Sequence, residues 1–591
     1  MQKVNIFHCY FLFKHGKIKL KEHLKGDLQM KFSELPYSRP DIGAVCEKIS
    51  LLTSKLEGAE SAEAQLAVIK EKEALLSDFS TQATIASIRH TVDTRDEFYE
   101  KENDFFDENG PLIEEKAQEF MNAVLSSRFR AELEEKLGTL IFSNMEIDKK
   151  TFSPEIIPLL QKENALTSEY QKLYATTTAE LDGEVMPITK LSPYKQSRDR
   201  DVRRKAFEAE GKAFDTRRED FDRIYSELVA VRSEIAKKLG YESFIPLAYD
   251  RLGRNCYDAA KVAAFREQIA KDIVPVVAEV KKAQKERIGV DALKFYDDPF
   301  MFPDGNAKPE GTSEDILAAG KKMYDELSDE TREFIDFMYE GEFFDVLAKE
   351  GKAPGGYCTE IADYKAPFVF SNFNGTSGDV DVLTHEMGHA FAAYRAMRNV
   401  DIHDLQNPTM ETCECHSMSM EFLTSPYHHL FFGESTKKYA RYQVEDALIF
   451  LPYGTMVDEF QHIMYARPEL TPEERNEIWL SLEAKYRPYI DFDALPFYSR
   501  GAGWQRQLHI FMYPFYYIDY CMAQTVAFEF FLLANKDREL AWKKYLAFVD
   551  KAGTATFEDI VESAELVLPY NKGAMESIAE ELKVWLKNNV V

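Results

Sequence analysis

A mainly α-helical protein is what this sequence predicts, and three observations carry the prediction. Apolar residues recur at intervals of three and four over most of the 591-residue chain, the spacing that lines one buried face of a helix. Strand-like stretches are confined to two short places, residues 179–188 and 355–371. There is neither a repeat of fixed period nor a low-complexity tract, which argues against a solenoid.

Residues 1–29 look foreign to the rest of the chain. Ile6 to Phe13 is apolar, but it is too short and poorly flanked for a signal peptide. Lys25-Gly26-Asp27 can be encoded by a stretch containing a bacterial ribosome-binding sequence shortly before the codon of Met30. The expectation is therefore a natural start at Met30, with 1–29 a leader or mis-annotated extension. Intact mass of protein from its native source decides this, since a mature chain retaining Met1 excludes it.

From Asp41 to about Phe79 the pattern is helical, with Val45, Ile49, Leu52, Leu56, Leu66, Ile69 and Leu75 at helix spacing. A second long run, roughly residues 94–137, is rich in Glu and Lys and closes near Gly138, so the two read as an antiparallel hairpin. Another helix covers 152–180, and a small strand pair should turn at Asp182-Gly183. Helices continue from Asp199 to Lys238 and from Tyr257 to Arg287. The Pro- and Gly-rich segment from Tyr296 to Gly311 reads as an exposed connection, with helix resuming from Ser313 to about Leu347. Two short strands come next, Gly355 to Ile361 and Ala366 to Ser371, and an edge strand there could pair with an extended peptide through its backbone.

Thr384-His385-Glu386-Met387-Gly388-His389-Ala390-Phe391 is the stretch that carries chemistry. In a helix His385 and His389 stand one turn apart on one face, so both imidazoles reach one metal ion. Glu386 lies about 100° round from His385, close enough to act on a water without being a ligand. Ser377 or Asp379 can cap this helix, and Val380, Leu383, Met387, Ala390, Tyr394 and Met397 give it an apolar stripe. Two histidines leave a zinc site one ligand short. Arg395 and Ala392 stand where a metzincin would have His and Gly, so the third ligand comes from elsewhere. Downstream, Glu411, Glu414, Met418 and Glu421 share one helical stripe; Glu414 is the predicted ligand, with Glu411 and Glu421 placed to orient the histidines. Cys413, Cys415 and His416 are competing donors, although two thiols in Cys-x-Cys point about 200° apart on a helix.

His385-Glu386-Met387-Gly388-His389-Ala390-Phe391, with Glu414 downstream, resembles the thimet oligopeptidase and oligoendopeptidase F family of zinc metallopeptidases. The resemblance implies a zincin-like helical ellipsoid with a deep channel between two lobes. It also implies one Zn²⁺ per chain held by His385, His389 and Glu414, and cleavage of short unstructured peptides. The segment from Trp504 to Tyr520 is similar to the His- and Tyr-rich stretch with which that family stabilises the tetrahedral intermediate. His509, Tyr513, Tyr517 and Tyr520, spaced four, four and three, would share a helical face despite a kink at Pro514. Glu386, His509, Tyr517 and Tyr520 are the expected catalytic residues. The expected division is an N-terminal helical lobe at 30–200 and a catalytic domain at 201–591.

Composition narrows the partners. A net charge of −28 argues against binding a phosphate backbone, and no apolar run approaches the 18 residues that span a membrane. Seven scattered cysteines suit reduced thiols in a bacterial cytoplasm. The expected partners are short peptides, without nucleic acid or membrane, and the expected state is a monomer or small homo-oligomer. Two alternatives remain open: a helical zinc carboxypeptidase, and a non-catalytic peptide-binding protein with a structural zinc.

Overall fold

A computed structural model describes residues 30–353 and 355–591. The expected leader at 1–29 lies outside the described residues. Helices dominate, with two small sheets. Among the described residues no helix is long and apolar enough to cross a membrane.

The chain folds into two compact units, each assembled from three stretches. One comprises the described residues up to Lys149, Lys308–Gly433 and Leu533–Glu565; the other comprises Lys150–Ala307, Glu434–Leu532 and Leu566–Val591.

The first unit begins with helices Ile42–Glu57, Ala62–Val92 and Glu97–Leu125. Asp41, Ser61 and Asp96 accept hydrogen bonds from first-turn amides of these helices, and each cap fixes where its helix starts. The cap at Ser61 is what divides the periodic run from Asp41 to Phe79. Ile49, Leu52, Leu56, Val68 and Phe79 pack with Phe106, Ile113 and Phe120 in one core. The run expected over 94–137 is two helices, Glu97–Leu125 and Arg130–Leu137, and the predicted stop at Gly138 is found, with φ at +86°, a conformation glycine adopts without a Cβ penalty.

Further along is a three-stranded sheet, ordered β3 (Phe344–Leu347), β5 (Ala366–Phe373), β4 (Tyr357–Ile361). β3 runs parallel to β5 and β4 antiparallel to it, so β4 is an outer edge. The expected helix up to Leu347 is corrected here. Helix Asp329–Glu340 ends at Gly341, Glu342 takes φ +50°, and residues 344–347 gain a ladder with β5 that a helix would forgo. Lys352 pins the strands: its fully buried ammonium donates to the carbonyls of Asp345, Leu347 and Ser371 and pairs with the Asp345 carboxylate.

In the second unit β1 (Thr178–Leu181) and β2 (Glu184–Pro187) form the predicted hairpin, with positive φ at both Asp182 and Gly183. Tyr296 to Gly311 is irregular as expected, but its first part is buried rather than exposed. Tyr296, Phe300, Met301 and Phe302 enter the core, and the fully buried Asp297 takes bonds from Arg200 and Arg203. Two guanidiniums on one carboxylate satisfy a charge that would otherwise be costly to bury.

Candidate active site

The two histidines stand on helix Ser377–Asn399, whose apolar stripe is buried as the spacing requires. Its start differs from the expected cap. Thr376 occupies the N-cap without accepting a first-turn amide, its hydroxyl donating instead to Asn374 Oδ1. Asp379, inside the first turn, reaches back to accept the amides of Asn374 (2.9 Å) and Gly375 (2.6 Å). One carboxylate thus ties the loop after β5 to the helix end where negative charge is favoured. The His385 and His389 rings lie 4.9 Å apart, nearly perpendicular.

Helix Met410–Leu423 crosses this helix and brings Glu414 to the histidines. Glu414 Oε2 is 3.3 Å from His385 Nε2 and 3.6 Å from His389 Nε2, and one ligand atom from each residue lies within 4.8 Å of the others. Donors bound tetrahedrally at about 2.0–2.1 Å from one ion stand about 3.3–3.4 Å apart, so this set fits a zinc-sized cation. Ser417 Oγ donates to Glu414 Oε2 at 3.3 Å and steadies the carboxylate.

The Glu421 carboxylate is 2.6 Å from His385 Nδ1. An ionised carboxylate can only accept, so Nδ1 carries the proton and Nε2 presents its lone pair toward Glu414. Glu411, expected to share that orienting role, accepts at Oε1 from Thr409 Oγ1 at 2.6 Å. The competing donors are not in the converging group. His416 packs edge-on against Phe548, its imidazole pushed down to about 3 chiefly by burial, and its carbonyl accepts from Tyr545. Cys413 Sγ donates to the Pro408 carbonyl, and Cys415 is fully buried.

Sequence reasoning passed over Gly388. A Cβ there would meet Ser417 Cα at 2.8 Å and Met420 Cβ at 3.0 Å, so glycine is what lets the two helices cross closely enough for Glu414 to reach the histidines. A signal was present: glycine within a helix costs about 1 kcal/mol and calls for a packing reason. β4 runs close by. Burial, helped by the charges of Glu386 and Glu360, pushes the Cys358 thiol well up, and burial raises the Glu360 carboxyl to about 7.

Within the second unit, the aromatic segment is not the continuous helical face that its spacing predicts. Helix Leu508–Met512 stops before Pro514, and helix Tyr517–Lys536 starts afresh. Phe515 between them takes φ +68°. The break is held from both sides: Phe515 N–H donates to Gln461 Oε1 at 3.0 Å, and its carbonyl accepts from Arg254 at 2.6 Å. Arg254 also forms a fully buried pair with Asp519. The turn still gathers the phenols round His509, with ring centroids at 6.1 Å (Tyr513), 4.7 Å (Tyr517) and 5.9 Å (Tyr520). Tyr516, not singled out by the spacing, joins them at 6.0 Å. Burial pushes the Tyr513 hydroxyl up to about 12 and that of Tyr517 well above its usual range, so both keep their protons at neutral pH.

Comparison with known proteins covers almost the whole chain. The Peptidase M3 N-terminal domain matches residues 32–152, and Peptidase family M3 matches residues 193–579. No curated protein sequence matches. Among solved structures, PZ peptidase A with an inhibitor is 47% identical, with 94% of this chain and 99% of that one covered and a TM-score of 0.89. A protein assigned provisionally as an oligoendopeptidase F is 47% identical over 95% of this chain and 99% of its own, with a TM-score of 0.89. Another with that provisional assignment, from Bacillus anthracis, is 43% identical over 95% and 99%, with a TM-score of 0.85. The chain belongs to peptidase family M3, and its likeness to oligoendopeptidase F extends over nearly its full length.

Proposed function

We propose that this peptidase is a zinc-dependent endopeptidase that cuts internal bonds of short unstructured peptides. The observation that carries the reading is the convergence of His385 Nε2, His389 Nε2 and Glu414 Oε2 from two crossing helices, beside Glu386. These three would hold the ion. When bound, zinc lowers the pKa of water to about 7 and polarises a carbonyl. Glu386 takes the proton of the attacking water as its oxygen bonds the scissile carbonyl carbon, and passes a proton to the leaving amine as the C–N bond breaks. Glu421 keeps His385 in the tautomer that offers Nε2. His509, Tyr517 and Tyr520 are assigned to hydrogen-bonding the oxyanion, on the resemblance of their segment and their gathering in one turn. The catalytic machinery is accordingly proposed to lie within 201–591, with a reducing cytoplasm as its setting on the odd, scattered set of seven cysteines.

Mass spectrometry of fragments from a peptide blocked at both ends, with and without a zinc chelator, tests this. Internal cuts that vanish with the chelator are expected. Release of C-terminal residues alone, from unblocked peptides, would favour a carboxypeptidase. Glu386→Gln should retain one zinc per chain and lose nearly all turnover, whereas Glu414→Ala should lose the zinc itself. Normal hydrolysis by the Gln variant would defeat the assignment of the base.

A further inference from the structure

Beneath the aromatic turn a side-chain relay runs from Tyr453 through Gln507 to His509. The Tyr453 hydroxyl donates to Gln507 Oε1 at 2.8 Å, and Gln507 Nε2 stands 2.9 Å from His509 Nδ1. We propose that Gln507 is a positioning residue for the reaction, holding His509 as a neutral imidazole with its proton on Nε2. The inference rests on the reading of His509 as an oxyanion donor.

The chemistry of the amide sets the direction. A carboxamide NH₂ can only donate, so the ring nitrogen facing it must accept; in a neutral imidazole the proton then sits on the other nitrogen. Tyr453 orients the amide. Burial raises its pKa, so at neutral pH the hydroxyl is protonated and can donate to Oε1. The relay as a whole reads Tyr453 O–H to Gln507 oxygen, then Gln507 N–H to His509 Nδ1.

Both ends are fixed by packing. Tyr453 stands on helix Thr436–Ala466, its ring edge-on to Trp479 and Tyr517, with the Arg487 guanidinium over it. Gln507 is the N-cap of Leu508–Met512; its N–H donates to the Trp504 carbonyl and its own carbonyl accepts from Ile510. His509 is therefore aimed from only two residues away, and its ring rests 4.7 Å from that of Tyr517. A carboxylate at 507 would act oppositely, since it can only accept and would draw a proton onto Nδ1. An amide gives an oxyanion donor that does not have to be charged to act.

The test is nitrogen NMR of ¹⁵N-histidine-labelled, zinc-loaded full-length protein, with His509 assigned by the resonance lost in His509→Asn. The wild type should show His509 with Nδ1 unprotonated and Nε2 protonated between pH 7 and 8. Gln507→Glu should invert that ring, moving its proton to Nδ1, and lower kcat by about 10²-fold with KM little changed, the usual cost of one lost oxyanion donor. Gln507→Met, of similar volume but unable to bond, should give mixed tautomers and a smaller loss of kcat. A wild-type His509 protonated on Nδ1, or an unaltered ring signal in Gln507→Glu, overturns the proposal. Unchanged hydrolysis by His509→Phe, which carries no donor, would instead remove the oxyanion reading, and the tautomer measurement separates the two failures.

Discussion

Glu421, beside His385, and Glu360, on β4, are both carboxylates, and their surroundings give them opposite tasks. Glu421 accepts from His385 Nδ1 at 2.6 Å, so its removal leaves the His385 imidazole free to turn and to change tautomer. Glu421→Ala, which leaves Nδ1 no acceptor at this position, should therefore weaken zinc binding by about 10- to 100-fold while the protein still folds, as read by competition with a chromophoric chelator. Zinc affinity equal to wild type would show that the bond does not orient the ring. Glu360 is held the other way: burial raises its carboxyl from 4.5 to about 7, with Asn407 donating to it at 3.5 Å. The neutral form is the one the fold favours. Stability from it is fully present below pH 4.5 and is lost as the pH rises to about 7. Because the side chain meets some solvent, the loss is discounted to about 1–2 kcal/mol. Glu360→Gln, which cannot ionise, should melt with wild type at pH 4.5 and above it at pH 8. A difference that does not change with pH would contradict this.

Elements show where periodicity informs and where it stops. The histidine helix was legible apart from its cap, because its stripe, its paired imidazoles and its adjacent Glu386 all depend on one 3.6-residue period. Glu414 was legible because the next helix repeats the same logic. What escaped depends on a partner distant in sequence. β3 is a strand only because β5 pairs with it, and Tyr516 joins His509 only because Arg254 and Gln461 hold a break that spacing cannot reveal. Gly388 escaped for the same reason, since its value lies in the helix packed on it. Gly388→Ala sets two effects in opposition. Helix propensity favours alanine by about 1 kcal/mol, whereas the new Cβ meets Ser417 Cα and Met420 Cβ within 3.0 Å, where overpacking costs about 1–3 kcal/mol. The clash should win, because the neighbours are atoms of the helix frame rather than a flexible tip. The variant should melt lower and, with the helices forced apart, bind zinc at least tenfold more weakly. A more stable variant with unchanged zinc affinity would mean the crossing can relax.

At the scale of the whole molecule, each compact unit draws on three separate stretches, so the residues round the candidate metal site depend on chain that lies beyond the aromatic segment. Helix Arg538–Val549 packs on both the histidine helix and the Glu414 helix. Tyr545 donates to the His416 carbonyl at 2.8 Å, and Asp550 takes two bonds from Arg395, at 2.6 and 2.8 Å. Taken singly these contacts are modest. Tyr545→Phe should cost about 1 kcal/mol for one hydrogen bond. Asp550→Asn should cost no more than about 1 kcal/mol, since Arg395 and Asp550 are 21% and 36% exposed and solvent weakens the pair. Removing the helix is a different matter, because Phe548 and Val549 are fully buried and their loss would uncover an apolar face of the unit that holds the helices carrying His385, His389 and Glu414. A chain ending at Leu532 should therefore fail to bind one zinc per molecule and should be cut rapidly by added protease within Lys308–Gly433, while both point variants stay loaded and resistant. Metal analysis and limited proteolysis of the three proteins side by side measure this. Stoichiometric zinc in the shortened chain would show that the two crossing helices hold their geometry without the last stretch of their own unit.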